Sequence, residues 1–270
     1  MSALLAVRGL SVGYRRPRKT AVDTVALEIQ RGQTVGLVGE SGSGKTSLGA
    51  AILGLAPITS GTVEFDGEDI TTAPAAVRRR LSRRMQVIFQ DPYGSLNPTR
   101  TVGDTIGEGL RYGHNLPPAT VRARVTKVLR EVGLPESAAD RYPARFSGGQ
   151  RQRIAIARAI VGDPDFVVCD EPVSALDLSV QAQVLNLLAG LKATRGLSYL
   201  FISHDLSVVR YLSDEILVMY AGRIVERGPA ARILSAPEHP YTRALLAAAP
   251  VPDPVVQARN RAARQAKEQG

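Results

Sequence analysis

The sequence predicts an α/β fold on a mainly parallel sheet, interrupted by a helical insertion. Three observations carry that expectation. Short apolar segments alternate with helix-length amphipathic ones over much of the 270 residues, as parallel strands with covering helices require. A short apolar strand, Thr34 to Val38, runs straight into the glycine-rich stretch GESGSGKT at Gly39 to Thr46, where a helix opens. From about Asp91 to Gly162 the strand signals stop and helical spacing takes over.

Taken in order, Leu4 to Tyr14 and Val22 to Gln30 alternate enough to be strands, joined by the basic turn RRPRK. Lys45 to Leu53 forms the helix after the glycine loop. Thr62 to Phe65 followed by Asp66-Gly67 predicts a hairpin, because that dipeptide accepts the backbone of a tight two-residue turn. Met85 to Phe89 reads as another strand. Within the helical stretch, Val121, Val125, Val128, Leu129 and Val132 recur with the spacing of one helix face. A second helix, Gln150 to Val161, begins just after Gly148-Gly149. Strands return at Phe166 to Cys169, Tyr199 to Ile202 and Glu215 to Met219. Between them lies a helix with Val180, Val184, Leu187, Leu188 and Leu191 on one side. Arg223 to Glu226 adds a strand after the Gly222 turn. The Pro-, Ala- and charge-rich stretch from about Pro250 predicts a mobile end, and the chain has no internal repeat.

Composition narrows the classes. A chain 44% hydrophobic and 22% charged is long enough for one large domain or a domain with an inserted subdomain. No apolar run approaches the ~18–20 residues that span a bilayer. The start, MSALLAVRGL, lacks the basic region and long apolar run of a secretory leader, which predicts a cytosolic protein or one held at a membrane by partners. Cys169 is the single cysteine, which excludes an internal disulfide and a thiolate metal cluster. The net charge of +9 would suit nucleic acid or anionic lipid. The arginines are dispersed, however, apart from Arg78, Arg79, Arg80, Arg83 and Arg84, and no zinc-finger spacing or RNA-binding aromatic motif accompanies them. No nucleic-acid partner is expected.

GESGSGKT fits the phosphate-loop pattern G-x-x-x-x-G-K-S/T at every fixed position. Gly39, Gly42 and Gly44 leave no Cβ in the way. The backbone N–H groups of Glu40, Ser41, Ser43 and their neighbours can then point at the β- and γ-phosphates of a nucleotide at a helix N-terminus. Lys45 supplies a point charge to the same oxygens, and Thr46, followed by Ser47, offers its hydroxyl to Mg²⁺. Asp170 and Glu171 follow four apolar residues, so a buried strand delivers two carboxylates to its C-terminal edge, where ligands sit in open sheets. One can hold Mg²⁺ through water while the next polarises an attacking water. An acidic cap on a strand would read alike; the neighbouring phosphate loop decides for chemistry.

Together with FSGGQ at Phe146 to Gln150, close before FVVCDEP at Phe166 to Pro172, these motifs make the chain resemble the nucleotide-binding subunit of an ABC transporter, from Leu4 to about Gly228. The resemblance implies a P-loop NTPase (RecA-like) core, an N-terminal antiparallel β subdomain and an inserted helical signature subdomain. It divides the chain into one ATPase domain over 1–249, with its core at about 1–90 and 163–230, the helical insertion at about 91–162 and a C-terminal importer-type segment at about 231–249. Residues 250–270 are then a mobile basic tail. Tyr14 would stack on adenine. Gln90 would touch Mg²⁺ and the lytic water and link to membrane subunits. Ser147, Gly148, Gly149 and Gln150 would bind the γ-phosphate of ATP held by the opposite subunit, which explains why they lie so far along the chain from the phosphate loop. Asp177, ending the SALD of Ser174 to Asp177, belongs to the loop that crosses the dimer. His204, just past YLFIS, matches the switch histidine that touches the γ-phosphate. Phe146 stands where leucine is commoner, an apolar replacement.

The finer resemblance lies in EHPYTRALLAAAPVPD at Glu238 to Asp253 and FQDPYGSLNP at Phe89 to Pro98, both similar to ATPases of oligopeptide, dipeptide and nickel importers. It implies an ATP-hydrolysing subunit that energises import of di- or oligopeptides, with ATP and Mg²⁺. Its implied partners are a second ABC ATPase subunit, identical or related, two integral membrane permease subunits and an extracytoplasmic substrate-binding protein. Its place would be the cytoplasmic side of the inner (plasma) membrane, as a peripheral subunit. A nickel or metal-chelate importer remains a second reading. A clamp of ABC type acting on DNA or ribosomes is a third, although 270 residues hold neither long coiled coils nor two cassettes.

Overall fold

The structure, a computed structural model, describes residues 3–15, 18–91 and 94–248. In chain order it runs β1 (Leu5–Arg15), β2 (Arg18–Ile29), β3 (Thr34–Val38), α1 (Lys45–Ile52), β4 (Ile58–Phe65), β5 (Glu68–Asp69), α2 (Ala75–Leu81), β6 (Met85–Ile88), α3 (Val102–Glu108), α4 (Pro118–Glu131), α5 (Gly148–Ile160), β7 (Phe166–Asp170), α6 (Leu178–Arg195), β8 (Ser198–Ser203), α7 (Leu206–Leu212), β9 (Glu215–Tyr220), β10 (Arg223–Pro229), α8 (Ala230–Ser235) and α9 (Pro240–Ala248).

The central sheet has the order β10-β9-β3-β8-β7-β6, parallel except for β10 at one edge. Its inner strands are apolar almost throughout, with Val35, Leu37, Val38, Val167, Val168, Leu200, Phe201, Ile202, Leu217 and Val218 buried. That texture suits a parallel sheet covered on both faces. The chain crosses the sheet between β8 and β9, which flank β3 on either side. The C-terminal end of β3 is therefore a topological switch point, where open α/β sheets bind ligands.

A second, antiparallel sheet has the order β2-β1-β4-β5. Helix α1 lies between the two sheets: its Leu48 and Ile52 share one core with Leu5, Val12, Val22 and Phe65 of the antiparallel sheet and Leu37, Val168 and Leu200 of the central one. The β4–β5 turn has positive φ at both Asp66 (54°) and Gly67 (79°), the backbone that the dipeptide favours. Between β6 and β7, helices α3 to α5 build a second core in which Val121, Val125, Val128, Leu129 and Val132 are all buried, as their spacing predicts.

Several boundaries differ from the sequence reading, and pairing explains most of them. Strand β2 starts at Arg18 rather than Val22, because Arg18, Lys19 and Thr20 pair with Arg15, Tyr14 and Gly13 of β1; residues 16 and 17 of that turn lie outside the described residues. Strand β4 starts at Ile58 rather than Thr62 because Ile58 and Ser60 pair with Val12 and Ser11. Strand β10 runs on to Pro229, opposite Glu215. In α6, Leu185 is buried beside Val184, Leu188 and Leu191, while Val180 and Leu187 pack only partly against the core. The short helices α2, α3, α7 and α8 give no periodicity strong enough to predict. The expected tail at 250–270 lies outside the described residues.

Much of the arginine cluster is used within the fold. Arg80 pairs with Glu68, and Arg84 bridges Asp66 and Asp165 while lying 5.0 Å from the centre of the Phe65 ring. Cys169 on β7 is fully buried, and burial pushes its thiol far up. Among the described residues, no helix is long and apolar enough to cross a membrane.

Candidate nucleotide site

The glycine loop leaves β3 at the switch point and folds as close backbone packing demands. Gly39 and Gly44 have φ of 156° and 109°. A Cβ on either would lie 2.1 Å from a backbone oxygen, that of Met219 or of Ala21. Side chains at these positions would push the loop off β9 and β2. The Gly222 N–H donates to the Ser43 carbonyl at 2.9 Å, tying the loop to the β9–β10 turn. Gly44 caps α1 without a side-chain hydrogen bond, so the helix presents its first amides unpaired by side chains. Such an end favours anions. The Ser43 hydroxyl is buried with no hydrogen-bond partner.

Lys45 is 4% exposed and its Nζ donates to the carbonyls of Gly39 (2.7 Å) and Glu40 (2.8 Å). Burial pulls its ammonium below the ordinary lysine range, against the attraction of Glu171, Asp170 and Glu40. Thr46 Oγ1 donates to Asp170 Oδ1 at 3.1 Å. Burial pushes the Asp170 carboxyl up; the Thr46 hydroxyl opposes this, the Glu171 charge adds to it and Lys45 opposes it. A hydroxyl beside a desolvated carboxylate suits a hard, oxygen-seeking cation. Mg²⁺ is an ion of that kind, which binds through one or two carboxylates together with phosphate oxygens.

Glu171 adopts φ of 46°, a left-handed backbone that costs a glutamate about 1–3 kcal/mol. Its own N–H holds that turn by donating to the Ile202 carbonyl at 3.0 Å. The side chain is only 13% exposed. His204 Nδ1 lies 3.0 Å from Glu171 Oε2, and the Gln90 amide donates to the same oxygen at 3.3 Å. A carboxylate only accepts, so a hydrogen bond here requires the proton on Nδ1 of the imidazole. Four residues expected to act together, Asp170, Glu171, His204 and Gln90, thus gather at the C-terminal ends of β6, β7 and β8. A hydrogen bond through Thr46 joins them to the loop.

The remaining expected residues are placed differently. Ser147 caps α5 through a reciprocal pair, the Gln150 N–H donating to Ser147 Oγ at 3.4 Å and the Ser147 N–H to Gln150 Oε1 at 3.0 Å. This box sets the helix start at Gly148, so both glycines sit in its first turn instead of before it. A Cβ on Gly149 would lie 2.3 Å from Val180 Cγ1, so that glycine also lets α5 approach α6. The hydrogen bonds of Ser147 and Gln150 run to each other and not to the glycine loop of their own chain. Asp177 caps α6, accepting from Ser179 N–H (3.1 Å) and Val180 N–H (3.0 Å); those bonds hold its carboxyl below the ordinary aspartate range. Tyr14 is 39% exposed, and its hydroxyl meets Ser47 Oγ at 3.3 Å, which brings the ring to the opening turn of α1.

One contact was not foreseen from sequence. Tyr241 Oη accepts the backbone N–H of Glu40 at 2.9 Å, so the C-terminal segment touches the glycine loop itself. The HPYT stretch is conspicuous in the sequence, but neither spacing nor periodicity connects its tyrosine to a loop about 200 residues earlier.

In sequence and fold the chain resembles known proteins. Residues 22–174 match a family described as ABC transporter, and residues 225–269 match one described as oligopeptide/dipeptide transporter, C-terminal region. A Brucella ovis protein named for peptide import and ATP binding is 52% identical over 253 residues, covering 93% of this chain and 80% of that protein. The oligopeptide transport ATP-binding protein OppF of Bacillus subtilis is 50% identical over 258 residues, covering 93% and 84%. Among solved structures, cbiO1 from Clostridium perfringens, part of the ABC transporter complex cbiONQ, superposes with a TM-score of 0.79 at 26% identity, covering 87% of this chain and 92% of that one. A dimeric ATP-binding cassette in a post-hydrolysis state, bound to ADP and Pi, gives 0.76 at 26% identity, covering 84% and 98%.

Proposed function

The chain belongs to the ABC transporter family, as an ATPase coupled to transport, and from that premise we propose that it energises import of di- or oligopeptides. The observation that carries the catalytic part is the meeting of His204 and Gln90 on one carboxylate oxygen of Glu171, beside a glycine loop whose Thr46 hydroxyl reaches Asp170. The match of residues 225–269 to the peptide-transporter C-terminal region supports the substrate class.

In this reading residues 1–249 act as one ATPase unit, with 91–162 as its helical insertion. The loop from Gly39 to Thr46 holds the β- and γ-phosphates of ATP. Lys45 leaves the carbonyls of Gly39 and Glu40 and turns its ammonium to the phosphate oxygens. Tyr14 stacks on the base above Ser47. Thr46, Gln90 and, through water, Asp170 would hold Mg²⁺, which when bound neutralises charge on the phosphates. Glu171 accepts a proton from the attacking water at Oε2. His204 keeps that carboxylate aimed, and together with Gln90 fixes the line of attack on the γ-phosphate. Ser147 and the first amides of α5 serve the nucleotide of a second copy or a related ATPase, and Asp177 stiffens the loop between the two sites. Two permease subunits receive the stroke near Gln90, an extracytoplasmic binding protein delivers the peptide, and the subunit sits peripherally on the cytoplasmic face.

Purification of the tagged chain from mildly solubilised membranes tests this. Two integral membrane proteins are expected with it, and peptide-loaded binding protein should raise the ATPase rate of the complex. Stimulation by nickel chelates alone would replace the substrate class, and recovery of ribosomes or DNA in place of membrane proteins would end the transport reading.

A further inference from the structure

Residues 238–242 are tied into the fold at both ends of a short span. Glu226 on β10 is 7% exposed, and its carboxylate oxygens accept the N–H groups of Glu238 (2.8 Å) and His239 (3.0 Å). His239 Nδ1 then accepts the N–H of Tyr241 at 3.1 Å. Leu245, one helical turn on, packs with Tyr241 against the core. The Tyr241 ring lies 4.5 Å from that of Tyr220, at 43°, so the phenol packs against an aromatic neighbour. Its oxygen meets the second residue of the glycine loop at 2.9 Å.

The peptide groups around Glu40 have other holders. Lys45 Nζ grips the Glu40 carbonyl, and the Ser43 N–H donates to it at 3.2 Å. The lysine hold is temporary, because the same ammonium is required by the phosphates. Once it turns away, the Glu40 N–H still has the Tyr241 hydroxyl as its side-chain partner.

We propose that Tyr241 is a positioning residue for ATP: its hydroxyl holds the entrance of the glycine loop in its binding shape while Lys45 changes partners. This rests on the loop holding ATP and assigns a role in binding to a segment otherwise read as a mark of the transporter branch. Tyr241→Phe removes one hydroxyl and keeps the ring against Tyr220, which makes it the appropriate probe.

The test uses the full chain. Calorimetric titration with ATP, in a Glu171→Gln background that prevents turnover, should give a Kd about three- to tenfold higher for Tyr241→Phe, the range that one neutral hydrogen bond supplies. Hydrogen exchange at the Glu40 amide should quicken while β8 is unchanged. With Glu171 restored, KM for ATP should rise and kcat stay within about twofold. A Kd equal to the parent's, an unaltered Glu40 exchange rate, or a lower melting temperature with unaltered KM would each overturn the proposal. A parent that binds no ATP would overturn the assignment of the loop as well, and Lys45→Ala separates the two: it should abolish binding wherever the loop is the site.

Discussion

Glu171 combines a strained backbone, a nearly sealed side chain and two hydrogen-bonding neighbours on one oxygen. A carboxylate so placed is suited to take a proton and contributes little to holding nucleotide. Glu171→Gln should therefore keep ATP binding, lower turnover by roughly a hundredfold or more, and trap dimers. Single-turnover assays beside equilibrium binding check this, and equal rates for variant and parent would reject the role. At this scale the sequence was a good guide to position where spacing fixes it: Lys45 and Thr46 open the helix after the glycine loop, and Asp170 and Glu171 stand at the end of a buried strand. It was a poor guide to side chains with two employers. Asp177 spends its carboxylate on the first turn of α6, and Tyr241 reaches a partner that only tertiary structure supplies.

Between strand β10 and helix α9, stability should depend on pH through Glu226. Burial favours its neutral form, yet the N–H groups of Glu238 and His239 and the charge of Arg232 outweigh this and hold the carboxyl below the ordinary glutamate range. In the unfolded chain the group titrates near its usual value of about 4.3, so just below that pH the unfolded state binds more protons. The stabilisation is thus complete above the unfolded value and fades as pH falls through the folded one. Thermal melts of the parent and Glu226→Gln should differ by several degrees at pH 7 and converge as acid protonates the carboxyl in the folded state; a gap independent of pH would contradict the account. Elements were legible where one periodicity ran long enough, as along α4, whose predicted face is the buried one. Strand ends were not, because β2, β4 and β10 extend as far as their partners allow. The start of α5 was missed by two residues because the Ser147–Gln150 box, and not helix propensity, fixes it.

Across the whole molecule the proposed function turns on a segment that lies away from its own glycine loop. Ser147 and Gln150 bond to each other through the cap of α5, and among the described residues neither is bonded to the glycine loop of its own chain. In the proposed reading they receive a nucleotide from a second ATPase. Ser147→Arg in one subunit of a mixed dimer should stop hydrolysis of the nucleotide on the other subunit's Lys45 and spare its own. Loss confined to the mutated chain's own loop is the result that would sink the shared site. The sheet order and the switch point at β3 were not foreseen, since periodicity gives strands and not their neighbours. The chain's solitary thiol, at Cys169, is buried and strongly disfavoured as thiolate, so a maleimide would pass it by. Cysteines introduced at Ser41 and Ser147, both exposed, would then be the sole handles for a bifunctional linker, and the protein could serve as its own gauge of how tightly two copies have shut.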